Sequence, residues 1–137
     1  MKIVAHLNFN GQCEAAMKFY ETTLGGKITF MMKFADFPGG GGPPGMGDRI
    51  GHSTLTVGDQ TIHGADSMPD GYKKPQGFGV ALNLSDPAQA DRIFTAFAEK
   101  GTVGMPIQET FWAQRFGMVT DEFGTPWMIN CEKGEQA

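Results

Sequence analysis

The amino-acid sequence predicts an α+β protein made of two tandem βαβββ modules. Two observations support this class: each half contains one segment with helical apolar spacing, and in each half one strand pattern precedes that segment and three follow it. An element order that occurs twice within 137 residues indicates two copies of one module that share a sheet. We place the modules at residues 1–68 and 76–132 of a single domain, 1–137.

The first module opens with the strand pattern "MKIVAHLNF", in which apolar and other residues alternate. Asn10 is placed to cap the following helix, and Gly25 and Gly26 are placed to stop it. The apolar side of this helix contains Cys13, Ala16, Met17, Tyr20 and Leu24. Three strand patterns follow, "KITFMMKF", "RIGHSTLTV" and "QTIHGAD", and the last two form a hairpin around Gly58-Asp59.

The second module repeats this order from the strand pattern "GFGVALNL". Asp86 followed by Pro87 predicts a helix start, because aspartate caps a helix and proline suits its first position. Gly101 ends this helix, whose buried side contains Ala90, Ile93, Phe94, Phe97 and Ala98. The strand patterns "TVGMPIQET", "FGMVTD" and "PWMINCE" complete the module.

Two segments read as loops. The stretch "ADFPGGGGPPGMGD" lies between the second and third strands, and we interpret it as a flexible surface loop. A phosphate-binding loop would need a following lysine and helix, whereas here Arg49 leads into a strand. The alternative is a mobile lid over a cleft. The second segment, "DSMPDGYKKPQ", is the predicted linker between the modules.

Composition excludes several classes of partner. The net charge is −4 and there is no basic run, so neither nucleic acid nor a membrane is an expected partner. No apolar stretch approaches the length of a membrane span, and the amino terminus lacks the long apolar run of a signal peptide. Cys13 and Cys131 have no metal-like spacing. We therefore expect a cytoplasmic protein.

Two motifs carry a resemblance to a known family. The stretches "LNFNGQCEAAMKFYETTLGG" and "ETFWAQRFGMVTDEFGTPWMIN" are similar to the signatures of the PhnB-like branch of the vicinal oxygen chelate superfamily, which includes glyoxalase I, bleomycin-resistance proteins and extradiol dioxygenases. The resemblance implies that the two modules form a curved mixed sheet around a cleft. It also implies a homodimer, since members of this fold often pair their modules between chains.

In the metalloenzymes of that superfamily, the metal ligands come from the first and last strands of each module and are usually His, Glu or Gln. Strand parity places five polar side chains inside the sheet: His6, Asn8, His63, Asn83 and Asn130. Asparagine is a poor ligand for transition metals, so we predict a polar ligand pocket with no metal and no cofactor. The alternative for His6 and His63 is a core histidine that is hydrogen-bonded to backbone, and we interpret His52 as a packed or surface strand residue.

The stretch "ETFWAQRFG" supplies the remaining candidates. It is predicted to bridge the sixth and seventh strands, where Phe111 and Trp112 offer apolar faces and Arg115 offers a charge for a carboxylate or phosphate. The alternatives are a Glu109–Arg115 ion pair and a role for Trp112 in the core or a dimer interface. Trp127 shares its parity with Ile129 and is predicted to pack beneath a helix.

Three functions remain open at this point. The leading prediction is a protein that binds a small molecule in a metal-free cleft, with aromatic walls and a few polar anchors. The runner-up is a metal-dependent lyase or dioxygenase, or an enzyme with His6 or His63 as general base. The third is a protein whose main property is dimerisation. No catalytic residue can be assigned, because no nucleophile or orienting carboxylate accompanies the histidines.

Overall fold

The computed structural model describes residues 1–134, and its elements follow the predicted order. The first module contains β1 (Ala5–Phe9), α1 (Cys13–Leu24), β2 (Lys27–Lys33), β3 (Ile50–Val57) and β4 (Gln60–Asp66), with a 3-10 helix at Phe34–Asp36. The second contains β5 (Val80–Leu84), α2 (Pro87–Glu99), β6 (Thr102–Gln108), β7 (Ala113–Thr120) and β8 (Pro126–Glu132). Among the described residues, no helix has the length and apolar character that a membrane crossing requires.

Hydrogen bonding gives each module its own four-stranded sheet. The strand order is β1-β4-β3-β2 in the first sheet and β5-β8-β7-β6 in the second. In both sheets the first strand of the module runs parallel to its last strand, and the other pairs are antiparallel. The predicted α+β class with two tandem modules is confirmed. The chain divides into two compact units, Met1–Lys73 and a second that begins at Lys74, and this boundary falls within the predicted linker.

Each helix covers one face of its own sheet, because its apolar stripe needs a surface on which to be buried. All five residues predicted for the α1 stripe are buried. In α2 four of the five are buried, and Ala98 is half-buried. Trp127 is 1% exposed and stacks on Phe97 of α2 with ring centroids 4.8 Å apart, as predicted. We call the face under the helix the helix face and the opposite face the distal face.

Of the two predicted N-terminal helix caps, one is confirmed and one is wrong. The Asp86 side chain accepts a hydrogen bond from the Ala88 backbone N–H at 3.0 Å, with proline at the start of α2, as predicted. The predicted Asn10 cap on α1 is wrong, because its oxygen accepts from Arg49 instead (3.2 Å). The N-cap position is Gln12, which makes no side-chain cap bond.

Asp66, at the end of β4, satisfies the start of α1 from a distant point in the sequence. Its carboxylate is 4% exposed and accepts three backbone hydrogen bonds of 2.8–3.0 Å, from Gly11, Cys13 and Ile50. A buried carboxylate needs such donors, and a helix N-terminus favours its negative charge. Asp66 therefore connects α1, β3 and β4 at one point.

Two strand starts differ from the prediction. β5 begins at Val80 rather than Gly77, and Gly77 has a left-handed backbone (φ 79°) that departs from the extended conformation of a regular strand. β7 begins at Ala113 rather than Phe116, because β8 extends to Glu132 and its ladder with β7 starts at that residue. The segment 113–115 is therefore strand and not a bridge between strands.

The glycine-rich segment between β2 and β3 is held at its base by main-chain hydrogen bonds. Phe34 N–H donates to the Arg49 carbonyl at 2.9 Å, and Ala35 N–H donates to the Gly47 carbonyl at 3.1 Å. Phe34 and Met46 are both buried, at 7% and 3% exposure. The segment therefore returns on itself around an apolar anchor of its own.

Candidate functional site

Three imidazoles meet on the distal face of the first sheet. His6 of β1 and His63 of β4 are direct partners in the parallel ladder, with ring centroids 6.5 Å apart and nearly perpendicular. His52 of β3 lies 5.0 Å from His63, also edge to face. Asn8 is exposed two residues beyond His6, on the same face of β1. The structure thus brings the predicted residues of this unit together.

The cluster contains one residue that sequence reasoning left out. His52 was interpreted as an ordinary strand residue, yet the hairpin register would have placed it. A two-residue turn at Gly58-Asp59 sets Thr54 opposite His63, and His52 is the next residue on that face. Burial lowers the pKa of His6 below its ordinary value of 6.5, and the neighbouring His52 and His63 lower it further. His6 is therefore disposed to stay neutral near pH 7.

The first and last strands of the second sheet also hold a polar pair, which is made of two asparagines. Asn83 of β5 and Asn130 of β8 are direct partners in the parallel ladder, as His6 and His63 are in the first sheet. The Asn130 Nδ2 donates to Asn83 Oδ1 at 3.0 Å. The Trp112 Nε1 in turn donates to Asn130 Oδ1 at 3.2 Å. Three predicted site residues therefore form one hydrogen-bonded chain.

Trp112 is fixed by aromatic neighbours and by its own backbone. Its ring meets Phe116 edge to face at 5.2 Å and Phe111 at 4.8 Å. The Trp112 carbonyl accepts from the Lys133 N–H at 3.2 Å, which ties the turn before β7 to the end of β8. Trp112 keeps 37% of its surface exposed and Phe111 keeps 88%. Such edge-to-face packing orients the indole without burying it.

Arg115 lies on the helix face, away from the other candidates. Its partner in the ladder is Cys131, which is fully buried on that face, and its Nε donates to Asp91 of α2 at 2.6 Å. The alternative Glu109–Arg115 ion pair is wrong, because Glu109 pairs with Lys133 at 2.9 Å. The strand start at Ala113 explains this placement, since parity within β7 then fixes the direction of the Arg115 side chain.

An apolar groove of about 480 Å³ lies on the distal face of the second sheet. Sequence reasoning missed it, and no residue singled out from the sequence as a ligand contact lines it. Its walls include Phe78, Gly79, Gly104, Met118, Thr120 and Met128. Phe78 and Met118 keep 55% and 39% of their surface exposed. The parity of "FGMVT" and "PWMIN" could have placed both methionines on the face of Asn130.

The groove and the asparagine pair share this face. Met128 and Asn130 are consecutive distal-face residues of β8, and Met118 follows Phe116 in the same way along β7. Successive residues on one face of a strand are roughly 7 Å apart. The groove therefore ends beside the hydrogen-bonded chain of Trp112, Asn130 and Asn83.

Comparison with known proteins places this architecture. The family model of the Glyoxalase/Bleomycin resistance protein/Dioxygenase superfamily matches residues 3–129. The chain belongs to this superfamily. Protein YjdN of Escherichia coli (strain K12) is 34% identical to this chain over 142 residues, and the match covers 97% of each protein.

Solved structures agree with the assignment to the glyoxalase/bleomycin resistance protein/dioxygenase superfamily. The crystal structure of PA1353 from Pseudomonas aeruginosa has a TM-score of 0.91 and 41% identity, and the match covers 98% of this chain and 99% of that one. A PhnB protein from Bacillus cereus has a TM-score of 0.81 at 22% identity, over 96% of this chain and 99% of that one. That last likeness shows a shared fold.

The polar pair of the second unit does not fit a transition metal. It consists of Asn83 and Asn130, whose amide oxygens already accept hydrogen bonds. A neutral amide is a weak ligand for such metals, which prefer imidazole, thiolate or carboxylate. Across residues 1–134, no group of three or more His, Cys, Asp or Glu side chains is arranged to hold a metal ion. We derive no chemical step through a metal.

Proposed function

We propose that this protein binds a small, largely apolar molecule on the distal face of its second sheet and does not transform it. The groove of about 480 Å³ carries this proposal. Ligand sites are typically concave, apolar in most of their lining and a few hundred Å³ or more in volume, with a small number of polar groups that fix orientation. The groove supplies the apolar part, and Asn83, Asn130 and Trp112 supply the polar part.

The chemistry of the lining favours binding over catalysis. The side chains around the groove are those of Gly, Phe, Thr, Met, Val, Pro and Trp, and none of them titrates near neutral pH. General acid–base catalysis needs a titratable group within hydrogen-bond reach of the reacting atoms. The proposal leaves out Arg115, because it faces α2 and pairs with Asp91.

A substitution that fills the groove tests the proposal. A Cβ built on Gly104 of β6 would meet only the Met118 carbonyl oxygen and Cβ, at 3.7 and 3.8 Å, which are ordinary contacts. Gly104→Phe therefore places a ring in the groove without a backbone clash, and Val103→Phe adds a ring at the next β6 position, outside the groove lining. The probe is N-phenyl-1-naphthylamine, a neutral dye that fluoresces in apolar surroundings.

We expect the wild type and Val103→Phe to bind the dye saturably at one site, and Gly104→Phe to bind it at least tenfold more weakly. Far-UV circular dichroism and the melting temperature confirm that each variant is folded. Equal dye affinity in Gly104→Phe and the wild type, or no saturable binding to the wild type, would contradict the proposal.

The metal-dependent lyase or dioxygenase is the competing function, and the histidine cluster of the first unit is the place where it would show. Tag-free, chelator-stripped protein is heated with Ni²⁺, Zn²⁺, Mn²⁺ or Fe²⁺, beside His6→Ala and His63→Ala. An ion that binds only the native state adds roughly 2.7 kcal/mol at a hundredfold excess over its dissociation constant. We expect no ion to raise the melting temperature. A rise in the wild type that both variants lose would replace our proposal with the enzyme.

The proposal extends to assembly and compartment. We propose a homodimer, supported by the large apolar side chain of Phe30, which stays exposed on β2. Light scattering after size exclusion should give twice the chain mass of 14.8 kDa. We propose the cytoplasm as compartment, since Cys13 and Cys131 are both buried free thiols, which reducing compartments maintain.

A further inference from the structure

We infer that the hydrogen-bonded chain Trp112–Asn130–Asn83 presents N–H donors to the bound molecule, so that the site selects a ligand with a neutral carbonyl-type acceptor. Amides, ketones, esters and quinones carry such an acceptor. This inference rests on the proposed function, because it concerns the polar side chains beside the same groove. It adds a ligand class to a site that was so far defined only by shape.

The direction of the chain follows from the chemistry of its first member. An indole nitrogen can only donate a hydrogen bond. Trp112 Nε1 lies 3.2 Å from the Asn130 amide, so Asn130 must turn its oxygen toward the indole. Its NH₂ group then points to Asn83, whose oxygen accepts at 3.0 Å. Asn83 is consequently left with its own NH₂ group at the free end.

The free end is available to a ligand. Asn83 is exposed, and its NH₂ group donates to no atom of the described residues. One hydrogen of the Asn130 NH₂ group is also unused. The exposed end of the chain thus offers hydrogen-bond donors, and the oxygen of each amide already accepts one hydrogen bond. A ligand group that accepts a hydrogen bond is complementary to these donors.

Charge favours a neutral acceptor over an anion. Two cations of this unit, Arg115 and Lys133, are each paired with a carboxylate, Asp91 and Glu109. Glu132 is exposed two residues beyond Asn130 on the same side of β8 and adds a negative charge. An anion that leaves water needs a cation or several converging donors. The asparagine pair offers amide donors alone, which suits a carbonyl oxygen.

A matched set of naphthalenes tests the inference by competition against N-phenyl-1-naphthylamine. The set is 2-acetylnaphthalene, a neutral ketone, 2-ethylnaphthalene, its apolar analogue, and 2-naphthoate, an anion. We expect the ketone to compete about 3- to 10-fold better than the hydrocarbon, the range of one net hydrogen bond. The anion should compete less well than the ketone.

Two variants separate the hydrogen-bond chain from the groove. Asn83→Leu removes the terminal donor, and Trp112→Phe removes the indole N–H that sets the direction while it keeps a ring beside Phe116. Asn83→Leu should reduce the preference for the ketone to about one, and Trp112→Phe should reduce it. The preference is the ratio of ketone to hydrocarbon affinity measured on the same variant. Tyr72→Phe, a change in the first unit, should keep the full preference.

The outcomes distinguish the two proposals. If none of the naphthalenes binds the wild type, the proposed function fails and the inference fails with it. If all three bind with equal affinity and Gly104→Phe blocks them, the groove stands and the inference is overturned. A preference for 2-naphthoate, or a ketone preference that survives in both Asn83→Leu and Trp112→Phe, also overturns it.

Discussion

Removal of the Asp66 carboxylate should strongly destabilise the first unit. Three backbone N–H groups, of Gly11, Cys13 and Ile50, depend on its two oxygens. In Asp66→Ala these donors keep no partner in the protein, and each unsatisfied buried donor costs roughly 1–3 kcal/mol. Gly11 can recover some of this from water, since its bond is part-buried. We expect a loss of about 4 kcal/mol.

Asp66→Asn should cost about half as much. One oxygen of Asp66 serves both Gly11 and Cys13, and the other serves Ile50. An asparagine keeps the first oxygen but turns an NH₂ group toward the Ile50 N–H, so one of three bonds is lost. The negative charge at the start of α1 disappears as well, which adds roughly 0.3–1 kcal/mol. The expected total is about 2 kcal/mol.

The assay is urea unfolding at 25 °C, followed by far-UV circular dichroism for the whole chain and by tryptophan fluorescence. Trp112 and Trp127 both lie in the second unit, so fluorescence alone would miss an early loss of the first. Asp70→Ala is the matched control, because Asp70 is exposed, and it should stay within about 0.5 kcal/mol of the wild type. If Asp66→Ala is no less stable than Asp70→Ala, our account of Asp66 is wrong.

Three further predictions concern single side chains. His52→Gln should raise the pKa of His6 toward 6.5 as measured by NMR titration, because it removes one of the charges that lower it. Since the pKa of His6 is lowered in the folded chain, its contribution to the free energy of unfolding should be full above pH 6.5 and should be lost as the pH falls below that value. Burial raises the pKa of Cys13 to about 12, so its thiol should resist iodoacetamide at pH 8 in the native protein and react once urea unfolds it; rapid native labelling would contradict this. Arg115→Ala should cost less than about 1 kcal/mol in urea unfolding, because its Asp91 partner is 48% exposed, and a much larger loss would mean that Arg115 does more than pair.

Local patterns predicted much of this fold. The buried stripe of α1, the Asp86 cap and the bounds of β4 and β8 depend on residues within a few positions of each other, which periodicity and capping rules describe. The Asn10 cap failed because the actual acceptor, Asp66, is 53 residues away from Cys13. No local rule reports a partner at such a distance.

The same reasoning predicted only half of the candidate site. Alternation along single strands placed His6, His63, Asn83 and Asn130 on the distal faces. The Trp112–Asn130 hydrogen bond and the groove depend instead on how β7 pairs with β8. That register includes an irregularity between Ala113 and Arg115, and no local sequence pattern predicts it.

The polar pairs His6–His63 and Asn83–Asn130 bear on how a duplicated fold can diversify. Each pair lies in the parallel ladder between the first and last strands of its own unit, as the second pair of that ladder in the first unit and the fourth in the second. Asparagine and histidine codons differ at a single base, so two point mutations would exchange one type of pair for the other without a change in any strand. A tandem duplication of this kind gives a lineage two separately adjustable copies of one ladder. One copy can acquire a new chemistry while the other keeps its own.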